Sequence, residues 1–366
     1  MIRPVWAEID LSAIRDNIRN TQDILPEKTR LMAVVKSNAY GHGLIPVAKT
    51  VVEAGADRLG VASIEEAIEL RTAGLQVPIQ ILSEPPASAS VAIIEHNLIP
   101  TVYSLDLPKA LSVAARKKGT TAKIHLKIDT GMHRVGILPE RAGELYKTIS
   151  ELEGLFIEGV FTHFACADRP ADPYTQKQLR AFLELKKILL QIPIWHAANS
   201  AGAFFFPQTH LDMVRIGIAM YGLQPSADQV LPQLRPALSL KTKIAFTQDL
   251  QAGQSVSYGL TFTAQHPTKI AVLPIGYGDG FSRLLSNQGI VLIAGQRVNI
   301  IGRVCMDQSM VDLDGVEATL GGEAVLIGSQ GSQRITAEEM AAMIGTINYE
   351  IVCLINNRVA RVYKNS

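Results

Sequence analysis

The chain has 366 residues, of which 47% are hydrophobic and 19% are charged. This composition supports a large core and excludes an intrinsically disordered chain, and the length fits two domains or one α/β barrel with an addition. Lys and Arg total 35 and Asp and Glu total 34, which excludes the basic surface typical of proteins that bind nucleic acid or anionic membranes.

Eight short apolar runs recur along the first two thirds of the chain, and amphipathic stretches such as 64–73 and 177–191 separate them. The runs are Leu31–Val35, Leu59–Ala62, Ile79–Leu82, Ile99–Tyr103, Ile124–Ile128, Leu155–Phe161, Ile194–Ala197 and Met213–Ala219. Strands that alternate with helices predict parallel βα units, and eight units favour one closed barrel over an open doubly wound sheet. We therefore predict an α/β fold with a TIM-type (β/α)8 barrel over residues 10–235.

The sequence pattern changes after Pro236. The runs from 239 to 333 are short and β-branched, with glycine-rich turns between them. This pattern predicts a mainly antiparallel β domain over residues 236–366. The capping box TAEE at 336–339 predicts one helix within it. We expect the alternating segment 1–9 to form a strand of this second domain.

Polar residues follow several of the predicted barrel strands, and catalytic residues of such barrels lie at these C-terminal strand ends. Lys36 directly follows the first run, where partial burial lowers the pKa of a lysine. A lysine that extends from a strand end into solvent explains the same position. Gly41 and Gly43, which follow it, are also compatible with a plain turn.

The fifth run leads into KIDTGMHRVG at 127–136. Lys127 and Asp129 share one strand face, and the simplest expectation for this pair is an internal salt bridge. Arg134 lies on a glycine-flanked loop, from which it can bind a substrate carboxylate with two hydrogen bonds. His163 follows the sixth run, where a lone histidine is more often structural than catalytic.

The last two barrel strands carry HAANSAG at 196–202 and RIGIAMYG at 215–222, a place where barrels often bind phosphate. With Lys36 they suggest pyridoxal 5'-phosphate, which needs a lysine for the Schiff base, a phosphate anchor and a partner for the pyridine nitrogen. Arg215 fits this last role. Because arginine keeps its proton, the ring nitrogen would stay unprotonated, which suits simple proton removal and return.

The motif AVVKSNAYGHG at 33–43 resembles the cofactor-binding signature of bacterial alanine racemases, and the similarity extends over essentially the whole chain. It includes the barrel motifs above, SYG at 257–259, GYGDG at 276–280, CMD at 305–307 and the stretch from Tyr349 to Tyr363. Ala360 departs from the proline common in the family. The resemblance implies a homodimer whose active sites combine the barrel of one subunit with the β domain of the other.

The resemblance also implies catalytic roles at matching positions. Lys36 would hold the cofactor and act on the α-proton of D-alanine. Tyr258 of the partner subunit would act on the α-proton of L-alanine, with His163 and Arg215 aligned behind it.

Binding roles follow from the same resemblance. Arg134 and Met306 would contact the substrate carboxylate, Tyr277 would narrow the entrance together with Tyr349, and Lys127 matches a lysine that some members carry as a carbamate. The cofactor-binding residues implied are Lys36, Tyr40, Asn199, Ser200, Arg215, Gly217, Ile218 and Tyr349.

Three other classes of protein share parts of this pattern. Amino-acid decarboxylases on the same barrel place a carboxylate at the ring nitrogen, and non-catalytic cofactor-handling proteins resemble the barrel alone. A broad-specificity periplasmic racemase would need a secretion signal, which the first residues do not provide. The resemblance therefore predicts an alanine racemase that supplies D-alanine for peptidoglycan, with substrate breadth and a catabolic role left open. The sequence itself predicts a cytoplasmic, metal-free protein.

Overall fold

The structure, a computed structural model, describes residues 3–365. The predicted strand segment 1–9 therefore begins at two residues, Met1 and Ile2, that lie outside the described part. The chain forms two compact units. The barrel unit contains residues 14–39 and 44–235, and the β unit contains residues 3–13, 40–43 and 236–365. The short segment 40–43 belongs to the β unit although the barrel unit flanks it on both sides in sequence.

The barrel unit confirms the predicted fold class. After a first strand β1 (Val5–Asp10), eight parallel strands pair side by side in the order β8-β7-β6-β5-β4-β3-β2-β9. Backbone hydrogen bonds from Asp212 to Trp195 and from Arg215 to Ala198 join the two ends of this sheet. The strands are β2 (Arg30–Val34), β3 (Arg58–Val61), β4 (Ile79–Ile81), β5 (Ile99–Val102), β6 (Ala122–Lys127), β7 (Leu155–Phe161), β8 (Ile194–His196) and β9 (Met213–Ile216).

Helices follow the barrel strands, as the alternating pattern predicts. Most residues of these strands are buried, whichever face of the sheet they point to. The strands are therefore continuous apolar runs in the sequence. A capping box at Ser63 begins the helix that follows β3. The Ser63 hydroxyl accepts a hydrogen bond from Glu66 N–H, and the Glu66 carboxylate accepts one from Ser63 N–H. The helices of the first 235 residues are Leu11–Gln22, Leu44–Glu53, Ile64–Thr72, Ser90–Glu95, Asp106–Lys118, Pro139–Ser150, Tyr174–Glu184 and Ser200–Phe205.

The β unit contains a ten-stranded sheet in which β1 lies between the strand that follows the barrel unit in sequence, Leu238–Lys243, and the strand Ala360–Lys364. β1 pairs antiparallel with β10 and parallel with β20, and Val5, Ala7 and Ile9 point into the core. The strands after β9 are β10 (Leu238–Lys243), β11 (Phe246–Leu250), β12 (Ser255–Val256), β13 (Phe262–Thr263), β14 (Thr268–Leu273), β15 (Ile290–Ile293), β16 (Gln296–Ile301), β17 (Ser309–Asp312), β18 (Glu323–Gln330), β19 (Gln333–Ile335) and β20 (Ala360–Lys364).

Several boundaries differ from the sequence-based expectation. The capping box at Thr336 does begin a helix, Ala337–Met343, but a second helix, Asn348–Leu354, was not predicted. The expected helix 177–191 runs over Tyr174–Glu184, and the eighth apolar run stops being a strand at Ile216. These differences lie at element ends, where local signals are weakest.

Candidate active site

Basic side chains gather at the mouth of the barrel where the parallel strands end. Lys36 lies two residues after β2, Lys127 is the last residue of β6, and Arg215 precedes the end of β9 by one residue. Lys127 is only 6% exposed. Burial and the charges of Arg134, Arg215 and Lys36 lower its pKa to about 8. The predicted cations of the barrel are therefore close enough to affect one another.

Four residues after Lys36 form one left-handed helical turn. The φ angles of Ser37, Asn38, Ala39 and Tyr40 lie between 52° and 54°, a conformation that costs L-residues roughly 1–2 kcal/mol each. Within the barrel unit, Ser37 N–H donates to the Glu66 carboxylate at 2.6 Å. Strain at this point shows that the surrounding structure, rather than local preference, fixes the backbone next to Lys36.

Arg215 is buried and holds two histidines and two carbonyls. Its Nη1 donates to His196 Nδ1 at 3.1 Å, and its Nη2 donates to His163 Nδ1 at 3.2 Å and to the carbonyls of Thr162 and Ala197. Burial lowers its pKa to about 9. No described residue accepts a hydrogen bond from its Nε–H, so this donor remains available to a bound group.

A buried network that the sequence analysis missed continues from Arg215 into the barrel. His196 Nε2 lies 2.9 Å from His125 Nδ1, and His125 Nε2 lies 3.1 Å from a carboxylate oxygen of Glu158. Arg58 contacts that same oxygen at 2.8 Å. Arg215, His196, His125 and Glu158, here called the interior network, are at most 6% exposed.

Two features of the sequence could have indicated this network. His125 alternates with Lys127 along β6, so both point to one face, and Glu158 interrupts the apolar run of β7. Gly159 follows, and a Cβ there would lie 2.3 Å from the His125 ring. A glycine inside a strand often marks such a close approach.

The predicted salt bridge between Lys127 and Asp129 is wrong. Among the described residues no ion pair joins them, because the Asp129 carboxylate instead accepts from the backbone N–H groups of Gly131 and His133 at 2.9 and 3.0 Å. These bonds hold the loop that carries Arg134, whose side chain is exposed. Asp129 thus shapes the loop of the predicted carboxylate ligand.

Ser200 and Gly217, which the sequence predicts as part of a phosphate shell, contact each other after β8 and β9. The Ser200 hydroxyl accepts from Gly217 N–H at 3.0 Å, and a 3-10 turn, Ile218–Tyr221, follows. Asn199 caps the helix Ser200–Phe205 by accepting from Gly202 N–H at 2.8 Å. The Asn199 side chain therefore has a structural task here.

Within the β unit, Tyr40 and Tyr349 are near neighbours, with ring centroids 6.2 Å apart. Burial raises the pKa of Tyr40 well above its usual value. The backbone after Tyr40 is held firmly, since the guanidinium of Arg361 donates twice to the Gly41 carbonyl, at 3.0 and 2.9 Å.

Three other predicted residues of the β unit are strongly exposed, namely Tyr258 at 73%, Met306 at 53% and Tyr277 at 42%. Tyr277 N–H donates to the Cys305 carbonyl at 3.0 Å, which fixes the backbones of Tyr277 and Met306 next to each other. Tyr258 follows Ser257, whose φ of 67° is unusual for a residue other than glycine. Within the single chain these three side chains therefore face solvent.

Acidification from pH 6.5 towards pH 4 is expected to lower the midpoint of thermal unfolding. Burial lowers the pKa of His125 from 6.5 to about 4, and burial together with Arg215 lowers the pKa values of His196 and His163 well below the usual value. The unfolded chain therefore binds more protons than the folded chain in this window, and stability falls as pH falls. His125 alone accounts for about 3 kcal/mol. Circular dichroism melts across this range test the prediction, and a constant midpoint from pH 7 to pH 5 would contradict it.

Neither a metal centre nor a membrane span is found in the described chain. Between residues 3 and 365, no three His, Cys, Asp or Glu side chains come together as metal ligands. Over the same residues, every helix is too short or too polar to cross a bilayer.

Comparisons with known proteins agree along the whole chain. A family model described as alanine racemase, N-terminal domain, matches residues 9–225, and one described as alanine racemase, C-terminal domain, matches residues 237–363. An alanine racemase of Halothermothrix orenii is 47% identical, with 99% of this chain and 97% of the relative covered. One of Methanococcus maripaludis is 46% identical, with 98% of each covered.

Solved structures give the same result. Alanine racemase from a D-cycloserine-producing Streptomyces lavendulae has a TM-score of 0.96 at 41% identity, covering 100% of this chain and 98% of that one. The Bacillus anthracis alanine racemase with bound L-Ala-P has a TM-score of 0.94 at 40% identity, covering 100% of this chain and 96% of that one.

Proposed function

Because this chain belongs to the alanine racemase family, and is a racemase that interconverts L- and D-alanine, we propose that it works with pyridoxal 5'-phosphate and two bases. The observation that carries this proposal is the pairing of β2 with β9, in which Met32 lies opposite Arg215. The strand that leads to Lys36 is thus the direct neighbour of the strand that carries the buried guanidinium.

The donor set at the barrel mouth fits this cofactor. The phosphate needs N–H and O–H donors, which Ser200 and the backbone at Gly217 and Ile218 would supply, and we propose Tyr40 and Tyr349 as further O–H donors. The ring nitrogen needs a donor, and the Nε–H of Arg215 lacks a partner among the described residues. Asn199 would support the phosphate shell indirectly, since its side chain caps a helix. When bound, pyridoxal phosphate makes the α-proton of an amino acid acidic by withdrawing electrons from Cα.

Inversion at Cα needs one base on each face of the substrate. Lys36 Nζ would remove the proton of D-alanine, and Tyr258 Oη would remove the proton of L-alanine. Arg215 has only donors, so His163 Nδ1 accepts from it and the ring hydrogen of neutral His163 lies on Nε2. A hydrogen bond from this Nε2–H would favour the ionised form of Tyr258 and make it a stronger base.

The substrate carboxylate would be bound from two sides. Arg134 would donate two parallel hydrogen bonds to the carboxylate from its exposed loop. The backbone of Met306 would contact the carboxylate from the partner subunit. Tyr277 and Tyr349 would narrow the entrance, which favours a side chain as small as that of alanine.

A homodimer is the arrangement in which Tyr258, Met306 and Tyr277 can take these roles. All three are strongly exposed within the single chain, as residues that complete a second copy's site should be. Subunit dissociation would then separate Tyr258 from the partner subunit's Lys36 and end catalysis.

The activity and its breadth are tested together by incubation with L-alanine, L-serine and L-lysine, each at the same concentration. We expect D-alanine to form fastest, and D-lysine not to form at a measurable rate, because the tyrosines limit the entrance. The enantiomers are quantified by chiral chromatography. Comparable rates for all three amino acids would contradict the assignment and would favour a broad-specificity racemase.

Lys127 is expected to carry a carbamate in the presence of carbon dioxide. Its pKa of about 8 leaves a useful fraction of neutral amine at neutral pH, and this amine attacks the carbon of CO2 to form an N–C bond and release one proton. The carbamate would neutralise part of the positive cluster and orient Arg134. Protein equilibrated with 13C-bicarbonate should give one carbamate carbon signal, which is absent from Lys127→Arg. A signal that survives this substitution would place the modification elsewhere.

The D-alanine formed would serve peptidoglycan synthesis in the cytoplasm. A strain that lacks this gene should then need external D-alanine for growth. If that strain instead grows poorly only when alanine is its carbon source, the enzyme has a catabolic role.

A further inference from the structure

The chemistry of Arg215 determines the direction of the interior network. A guanidinium has only donors, so His196 Nδ1 must accept the hydrogen bond at 3.1 Å. The hydrogen of a neutral His196 then lies on Nε2, which donates to His125 Nδ1 at 2.9 Å. By the same rule His125 donates from Nε2 to Glu158 at 3.1 Å. Each contact along the line from Arg215 through His196 and His125 to Glu158 has one donor and one acceptor only if both histidines are neutral and carry Nε2–H.

The opposite direction fails at Arg215. Arg58 Nη1 lies 3.2 Å from His125 Nε2, and a hydrogen bond there would require Nε2 to accept. His125 would then donate from Nδ1, and His196 would present an Nδ1–H to the Nη1–H of Arg215 at 3.1 Å. The proposed direction leaves one mismatch, because Arg58 Nη1 and His125 Nε2 are then both donors at 3.2 Å, while Arg58 Nη2 keeps its pair with the Glu158 carboxylate at 2.8 Å. The reversal leaves two mismatches, because His125 Nε2 and the Glu158 carboxylate would also both be acceptors at 3.1 Å.

The carboxylate of Glu158 anchors the far end of the network. It contacts Arg58 and Lys123, each at 2.8 Å. Burial tends to raise the pKa of Glu158, but the hydrogen bond from His125 and the charges of Arg58 and Lys123 outweigh it and hold the pKa below the usual range. Glu158 is thus a fixed negative charge at one end, and Arg215 is a fixed donor at the other.

Packing alone does not fix the histidine tautomers. The His196 and Phe161 rings stack with their centroids 4.7 Å apart and their planes at 15°. The guanidinium carbon of Arg215 lies 5.3 Å from the centroid of the Phe161 ring. Stacking holds the ring plane, but either tautomer stacks equally well. The hydrogen-bond direction therefore depends on the two ends of the network, the donor Arg215 and the acceptor Glu158.

We propose that Glu158 is a positioning residue for racemisation, which acts through His125 and His196 to hold Arg215 in one orientation. The ionised carboxylate accepts from His125, so His196 always presents an acceptor to Nη1 of Arg215. The guanidinium plane is thereby fixed, with Nε–H left for the cofactor. The inference rests on the proposed place of Arg215 opposite the ring nitrogen.

Nitrogen NMR of the unsubstituted protein tests the direction without any activity measurement. Full-length protein with 15N-labelled histidine is measured with and without pyridoxal phosphate, from neutral to mildly alkaline pH. The signals of His125 and His196 should both show protonated Nε2 and unprotonated Nδ1 throughout. Protonation of His196 at Nδ1, or at both nitrogens, would overturn the proposal.

Glu158→Gln tests the function of the network. Glutamine can donate to His125 Nε2, so it permits the reversed direction that disturbs Arg215. We expect mixed tautomers at His125 and His196, an altered absorption spectrum of the bound cofactor, and a kcat about tenfold lower with little change in KM, as outer hydrogen-bond partners of active groups commonly give. Unchanged tautomers, spectrum and kcat would overturn the proposal.

Two further variants keep this test decisive. Glu153→Gln removes an exposed glutamate that pairs with Arg116 at 3.6 Å, and it should change none of the three measurements. If Glu158→Gln does not fold, the double variant Arg58→Met, Glu158→Leu removes both buried charges together, which buried pairs often tolerate. It should still alter the tautomers and the spectrum. Failure of the unsubstituted protein to racemise alanine would instead refute the proposed function and leave the NMR result intact.

Discussion

Replacing Lys36 with alanine is expected to abolish racemisation and the absorption band of bound pyridoxal phosphate together. Lys36 is the lysine two residues after β2 that we propose both holds the cofactor and acts as one base. Loss of a group with both tasks should reduce kcat by about 10⁴-fold or more. The measurement is D-alanine formation alongside the visible spectrum of the purified protein.

Two further variants serve as comparisons for Lys36→Ala. Lys36→Arg keeps the positive charge but cannot bond covalently to the cofactor, so it should lose the band as well. Lys117→Ala removes a lysine from the last turn of the helix Asp106–Lys118, far from the strand ends in sequence, and should keep both. A Lys36→Ala protein that still racemises alanine would eliminate Lys36 as an essential base.

Tyr258→Phe is expected to slow removal of the α-proton from L-alanine by about 10²–10⁴-fold, the usual contribution of a positioned base. Removal from D-alanine, which depends on Lys36, should change far less. Net racemisation cannot reveal this difference, because the enantiomers have equal free energies and the forward and reverse kcat/KM values must remain equal. The measurement is therefore single-turnover exchange of the α-proton with deuterated solvent, started from each enantiomer.

Tyr146→Phe is the matched control for this experiment. It removes one hydroxyl from the helix Pro139–Ser150, where the group donates to the Leu190 carbonyl. Exchange from both enantiomers should stay at the unsubstituted rate. If Tyr258→Phe slows exchange equally from L- and D-alanine, the assignment of one base to each face fails.

The barrel could be predicted because its strands are buried on both faces. A run such as Leu155–Phe161 is continuous and apolar, and the structure reproduces its limits. The helix Asn348–Leu354 could not be predicted in the same way. It has only seven residues, and no side chain caps its start. Its helical state depends on packing within the β unit, which leaves no local signal.

In the candidate site, too, features that depend on local sequence could be predicted, and features that depend on residues distant in sequence could not. Lys36 and Lys127 could be found because they stand at or next to the end of an apolar run, and Arg215 because it is a charged residue inside one. The left-handed turn that begins at Ser37 could not, since its φ angles oppose the intrinsic preference of each residue. The interior network was missed because Glu158 and His125 are far apart in sequence and meet only across the β6–β7 pair.

The position of β1 between β10 and β20 determines the order in which the chain can fold during synthesis. β1 leaves the ribosome before both of its neighbours, because Leu238–Lys243 and Ala360–Lys364 follow only after the entire barrel unit has been made. At a synthesis rate of about 5–20 residues per second, β1 waits for tens of seconds before both neighbours exist. The barrel unit can therefore form cotranslationally, while the sheet of the β unit is completed only when the last strand emerges.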